Sequence, residues 1–245
     1  MGASASEILD QLQIVDRLRA ERVADAGLAE RVFALKDYQA RRFARTYADL
    51  LQDARYQGAA RFFLAELYGP QEFAARDAQF ARVVPALVRL FPQEIIETVA
   101  ALATLHALSE SLDSQMARHL PSAALEASTY ARAWQATGRP DARRKQIGLT
   151  VEIGHALDHY TRRRMLRTTL HMMRRPAQAA GLSDLQRFLE TGFDTFGAMS
   201  GAGWFLEIVQ QREQALADAL FAADPLALPQ VGTGNCDGGP LGQLP

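Results

Sequence analysis

The sequence predicts an all-α protein, a compact bundle of about eight or nine helices. Two observations carry that expectation. Alanine, leucine, arginine, glutamate and glutamine dominate the chain up to about residue 222, and these residues cost least in a helix. Apolar residues also recur at i, i+3, i+4 and i+7, whereas alternating or β-branched runs are nearly absent. An apolar share of 48% with a charged share of 22% belongs to a chain that buries a core, not to a disordered one.

Each element follows from local signals. Ser4 or Ser6 caps a first helix with Ile8, Leu12 and Val15 on one face, an N-terminal arm over residues 1–26 packed on the body. Phe43, Tyr47, Leu50, Leu51 and Ala54 predict one amphipathic helix from Leu28 to about Gln57. A short one, Ala59 to Tyr68, stops at Gly69-Pro70 with Phe62, Phe63, Leu64 and Leu67 in the core. Phe73, Phe80 and Leu87 mark a helix over 71–91 that Pro85 is expected to kink or split.

Pro92 opens a helix over 93–120, and Pro121-Ser122 separates it from one that runs to Gly138. A long central helix is expected from Asp141 to Arg175, ending at Pro176. Ser183 with Gln186 matches a capping box for the next, which carries Phe188, Phe193 and Phe196. Trp204, Phe205 and Ile208 then line a last helix over 202–223. Residues 1–223 thus read as a single helical domain, and 224–245, rich in Pro and Gly, as a disordered tail.

Several classes are disfavoured. A formal net charge of −1 gives no overall pull toward nucleic acid. The one cysteine, Cys236, allows neither an internal disulfide nor a cysteine metal cluster, which suits a reducing, cytoplasmic setting. Nowhere do 18 apolar residues run uninterrupted, so no membrane span is expected. Phosphate-binding glycine loops after a strand and Gly-x-Ser-x-Gly elbows are missing.

Two polar constellations stand out. On the helix over 93–120, His106, Glu110 and Asp113 share one face beside Ile95, Val99 and Leu102. On the long helix Glu152, His155 and His159 do the same, at spacings that metal-binding helices use. A mononuclear site would join His155 and His159 to His106, Glu110 or Asp113. The metallopeptidase pattern fails because Ala156 follows the first histidine where a glutamate must stand. Residues 139–175 carry ten basic and three acidic side chains, a stripe for phosphates or an acidic partner, but no reading motif for nucleic acid accompanies it.

Two motifs, Phe62-Phe63-Leu64 through Leu67-Tyr68-Gly69-Pro70 to Phe73 and Arg76-Asp77, and Met173 with Pro176-Ala177, Ala180-Gly181-Leu182, Leu185-Gln186, Phe188-Leu189-Glu190 and Gly192-Phe193, add a resemblance. Together with Leu108-Ser109-Glu110, Leu112-Asp113, Gly154 and Leu157-Asp158, they make the chain resemble, over about residues 28–222, a bacterial family of uncharacterised helical proteins. The resemblance brings no activity. It implies that a shared site would draw on Tyr68, Arg76, Asp77, Glu110, Asp113 and Asp158, and it does not include His106, His155 or His159. The expected function is a cytoplasmic binding or regulatory protein, with a protein partner or a second copy as its company. The alternatives are an enzyme or sensor with a ligand or metal in the helical core, and a nucleic-acid-associated factor using the basic 139–175 segment.

Overall fold

The computed structural model describes residues 2–66, 73–228 and 239–245. All regular structure among them is helical: α1 (Ala5–Ala24), α2 (Ala26–Thr46), α3 (Ala48–Gln52), α4 (Gln57–Glu66), α5 (Ala74–Leu90), α6 (Gln93–Arg118), α7 (Ala127–Thr137), α8 (Pro140–Thr161), α9 (Arg164–Met172), α10 (Arg174–Ala179), α11 (Ser183–Ala198), α12 (Gly203–Ala222) and a closing 3₁₀ turn, Pro240–Gln243. There are more segments than the eight or nine expected, because two of the long patterns are interrupted, at three points.

The first interruption is at Tyr47, which leaves helical geometry between α2 and α3 while its ring and hydroxyl are buried against Val209 and Glu213. The second divides the long helix expected over 141–175. The buried line Val151, Gly154, Asp158 runs into Arg162-Arg163-Arg164, which supplies no apolar side chain to continue it, and Arg163 turns extended. Helix propensity alone does not register this, since arginine is a good helix former. The third falls at Met173, where α10 begins. Pro176 therefore sits in the first turn of a new helix, where a missing N–H leaves no hydrogen bond unmade. Conversely, Pro85 does not split α5.

Caps follow the same logic with two exceptions. Ser4, one of the two expected caps, begins α1, and with Glu7 it forms a capping box. Ser183 and Gln186 do not form theirs: Ser183 is already helical, and Gln186 donates instead to the Leu170 carbonyl. At the start of α7 an unforeseen box joins Glu126 to Thr129. At the far end, where disorder is expected, Leu241 and Leu244 provide two apolar anchors. Leu244 is buried with α2 and α12, and Arg45 donates to its carbonyl at 2.6 Å.

Three apolar cores organise the helices. One joins α2, the C-terminal half of α6, α7 and the end of α12 around Tyr38, Met116, Tyr130 and Leu220. A second gathers Phe43, Tyr47, Phe63, Phe196 and Phe205 from α2 to α4 with α11 and α12. The third packs Ile8 of α1 and Val84 of α5 on Ile96 and Ala103 of α6. The arm helix is thus seated on α5 and α6. Close approach of α8 to α12 depends on Gly154, where a Cβ would lie 2.4 Å from a methyl of the fully buried Leu206.

α6, rather than the 141–175 segment, is the central element, packed against α1, α2, α5, α7 and α8. It is also long and apolar enough, by length and composition, to cross a membrane. Its neighbours on several sides, and the ion-paired Glu110 within it, are those of a core helix.

Candidate functional site

The three cores do not close completely on one another. Between them runs a cavity of about 220 Å³ lined from α2, α5, α6, α7, α8, α11 and α12. One wall is apolar, with Phe80, Val83 and Leu87 of α5 facing Val99, Leu102 and Ala103 of α6. The other is charged, and it holds most of the polar residues singled out in the sequence.

The apolar line of α6 passes Leu102 and continues as His106, Ser109, Glu110 and Asp113, all cavity residues. Spacings of three and four residues keep them on one face, so the helix changes from an apolar to a polar wall along its own axis. Asp77, in the first turn of α5, meets this face: the His106 Nε2–Asp77 Oδ2 distance is 2.7 Å, and Arg19 of α1 donates to the same carboxylate oxygen. Burial pushes the Asp77 carboxyl up, but its hydrogen bonds and attraction to His106 and Arg19 outweigh this and hold it below the usual range.

Glu110 lies one turn further along. Arg22 of α1 donates to Oε2 and Lys36 of α2 to Oε1 at 2.5 Å. Burial again opposes ionisation, and again the two cations win, holding this carboxyl down to about 2. Asp113 is different. Gln39 Nε2 donates to it at 3.1 Å, and burial dominates the attraction of Lys36 and Arg143, so its proton is held above the ordinary aspartate range. One face thus carries a carboxyl held below its ordinary range beside one raised above it, a separation set by burial and neighbouring charges.

This contrast has a measurable consequence. A carboxyl whose pKa is raised in the folded state loses stabilisation as pH climbs from the ordinary aspartate range through the raised value. Asp113→Asn retains an acceptor for Gln39 and carries no charge. We expect urea unfolding to give the variant at least the wild-type stability at pH 8, with a smaller advantage at pH 5. A variant less stable at both pH values would mean that the ionised form of Asp113 supports the fold.

Four of the six residues implied by the resemblance therefore meet at one cavity: Arg76, Asp77, Glu110 and Asp113. Arg76 donates to Glu66 of α4 at 2.8 Å and stacks over Phe73 and Phe188, which closes one end of the cavity. Tyr68 lies outside the described residues. Asp158 is elsewhere: its Oδ1 accepts from the Ala202 backbone N–H at 3.1 Å and its Oδ2 pairs with Arg162, tying the end of α8 to the start of α12.

The metal expectation is not met in its geometry. His106 belongs to the cavity, whereas Glu152, His155 and His159 are exposed on α8. His159 stands by Glu94, twelve residues from His106 along α6, or about 18 Å at the helical rise. Among the described residues no group of three or more His, Cys, Asp or Glu side chains is placed to hold a metal ion. Part of the charge of the basic 139–175 segment is met within the chain. Arg143 turns inward, and Arg144, Arg162, Arg163, Arg167 and Arg174 meet Asp141, Asp158, Glu94, Asp194 and Glu190.

The sequence reading missed several cavity residues: Lys36, Gln39 and Arg42 on α2, Tyr130 and Trp134 on α7, Arg143 on α8 and Glu213 on α12. A signal was present. Gln39 and Arg42 continue the buried line Leu28, Val32, Leu35, and Glu213 falls on the line Val209, Leu216, Leu220, so each is a polar group at an apolar position. Of the aromatic C-terminal residues, Phe188 lines the cavity, Phe193, Phe196 and Phe205 are core, and Trp204 is half exposed.

No curated protein and no solved structure matches this chain. One family model does, over residues 18–227, which take in every residue that lines the cavity except Leu12 of α1. The chain belongs to the family described as a domain of unknown function, DUF8198.

Proposed function

We propose that this protein is a bacterial, cytoplasmic ligand-binding protein of regulatory or sensory type, which encloses a small amphipathic organic molecule between α5, α6 and α8. The observation that carries the reading is the cavity, with its apolar and charged walls meeting on one face of α6. Ligand sites are concave, mostly apolar and equipped with few convergent polar groups, and this cavity answers that description. An apolar cavity of about 150 Å³ admits benzene. By the same scale about 220 Å³ suits a molecule on the order of ten non-hydrogen atoms. The single cysteine supports the cytoplasmic part of the proposal.

The test is native mass spectrometry of the chain purified gently from its own cells, alongside a Leu102→Trp variant that fills the apolar half. A bound organic mass in the wild type, reduced at least tenfold in a folded variant, is expected. Two ligand-free proteins of equal mass, allowing for the substitution, would defeat the proposal.

A second reading, an acid–base enzyme at the same cavity, is favoured by His106 bonded to Asp77 with Asp113 two turns away. It separates from the first by whether the bound molecule emerges chemically altered.

A further inference from the structure

The apolar half of the cavity is a slot inside one helical hairpin. Phe80, Val83 and Leu87 of α5 face Val99, Leu102 and Ala103 of α6, and the two helices join at Phe91-Pro92. At the end away from that turn both helices become polar at the same level, where Asp77 of α5 meets His106 of α6. From Val99 to His106 the slot face covers seven residues, about 10 Å at the helical rise and room for roughly eight carbons in line. A molecule lying there ends against the pair of His106 and Asp77.

Charge at that end is already answered within the chain. Asp77 receives His106 and Arg19, Arg19 is shared with Asp16, and Arg76 divides itself between Asp77 and Glu66. Further along the cavity Lys36 meets Glu110, Arg42 meets Glu213, and Arg143 donates to Gln146. An anionic head would stand beside the Asp77 carboxylate, and a cationic one would compete with Arg19 and Arg76. An enclosed charge without a partner is costly, so the slot selects an uncharged molecule.

One ring nitrogen is left over. The contact with Asp77 uses His106 Nε2, whereas Nδ1 has no partner among the described residues and is not sealed off by packing. An ionised carboxylate only accepts, so Nε2 carries the hydrogen, and in the neutral ring Nδ1 then offers a lone pair. The matching head on a ligand is one that donates. A hydroxyl is the uncharged donor that ends an apolar body most compactly.

We propose that the ligand is an uncharged alcohol, its apolar body held between α5 and α6 and its hydroxyl donating to His106 Nδ1. This assignment rests on the ligand-binding reading above and specifies its chemistry.

The experiment is calorimetric titration of the full chain at pH 8 with 1-octanol, 2-octanone, sodium octanoate and octylamine, which are similar in length and differ in the head. 1-Octanol is expected to bind at least fivefold more tightly than 2-octanone, which only accepts, and the two charged probes to show no saturable binding. His106→Gln keeps an N–H for Asp77 and has no acceptor at the Nδ1 position. It should bring 1-octanol down to the affinity of 2-octanone and leave 2-octanone unchanged, which a loss of packing alone would not do. In nitrogen-15 NMR of the wild type, the Nδ1 resonance of His106 should move on saturation with 1-octanol and not with 2-octanone; this readout decides if the variant fails to fold. Equal affinity for 1-octanol and 2-octanone, tighter binding of either charged probe, or an Nδ1 resonance that ignores 1-octanol would overturn the alcohol assignment while leaving the cavity reading intact. If none of the four binds but the chain still co-purifies with an organic mass that Leu102→Trp removes, the assignment alone falls. If none binds and no mass co-purifies, both fall.

Discussion

Replacing Glu110 by glutamine is expected to remove about 3–5 kcal/mol of stability at neutral pH, the cost of leaving a buried charge without its partner. Arg22 and Lys36 both deliver their charge to this carboxylate, and all three side chains are largely out of solvent. The loss is a large share of the roughly 5–15 kcal/mol available to a folded protein. Acid offers an independent check. A carboxyl held down to about 2 from an ordinary value of 4.5 stabilises the fold fully above the ordinary value. That contribution, on the order of 3 kcal/mol, fades as pH falls toward the folded-state value. Urea unfolding from pH 7 to pH 3 should therefore show wild type losing stability faster than the variant, so that the two curves converge. Parallel curves would mean that Glu110 is not ionised through its two cations.

The second large effect belongs to Arg42 and Glu213, a buried pair joined through the two terminal guanidinium nitrogens, with the Tyr47 hydroxyl donating at 2.9 Å to the same carboxylate. Glu213→Leu alone removes the carboxylate from the buried arginine and is expected to cost about 3–5 kcal/mol. The double replacement Arg42→Met with Glu213→Leu removes both charges. It should recover more than half of that loss, because burying an ion pair pays twice for desolvation while a well-packed apolar pair pays none. Denaturant unfolding of the two single variants and the double variant completes the cycle. A double variant as unstable as the sum of the singles would mean no coupling between the two side chains and would contradict the pairing.

How much of this was legible in the sequence depended on whether the cause was local. The cap at Ser4, the extent of α6 and the seating of Ile8, Leu12 and Val15 rest on periodicity and cap chemistry within a few residues. The break at Arg162-Arg163 was not legible, since propensity favours continuing the helix and only the missing apolar partners stop it. Nor was the inward turn of Pro240–Gln243, which depends on a surface assembled from α2 and α12.

The site divides in the same way. That His106, Glu110 and Asp113 share a face follows from helix geometry. That Asp77 meets His106, and that α1 and α2 supply Arg22 and Lys36, are facts of tertiary packing between segments 29 to 88 residues apart. Asp158 reads like the other motif carboxylates, yet the turn at Gly201, with φ of 121°, brings the Ala202 N–H to it and gives it a structural task.

The central claim is that a small amphipathic molecule enters the core along α6. It is tested most directly by methyl-resolved NMR of the leucine and valine side chains as the organic molecule released from the natively purified chain is titrated back. The account predicts saturable shifts concentrated on Val83, Leu87, Val99 and Leu102, lost in Leu102→Trp. Shifts confined to exposed methyls such as Leu90 and Leu226, or none that saturate, would contradict it.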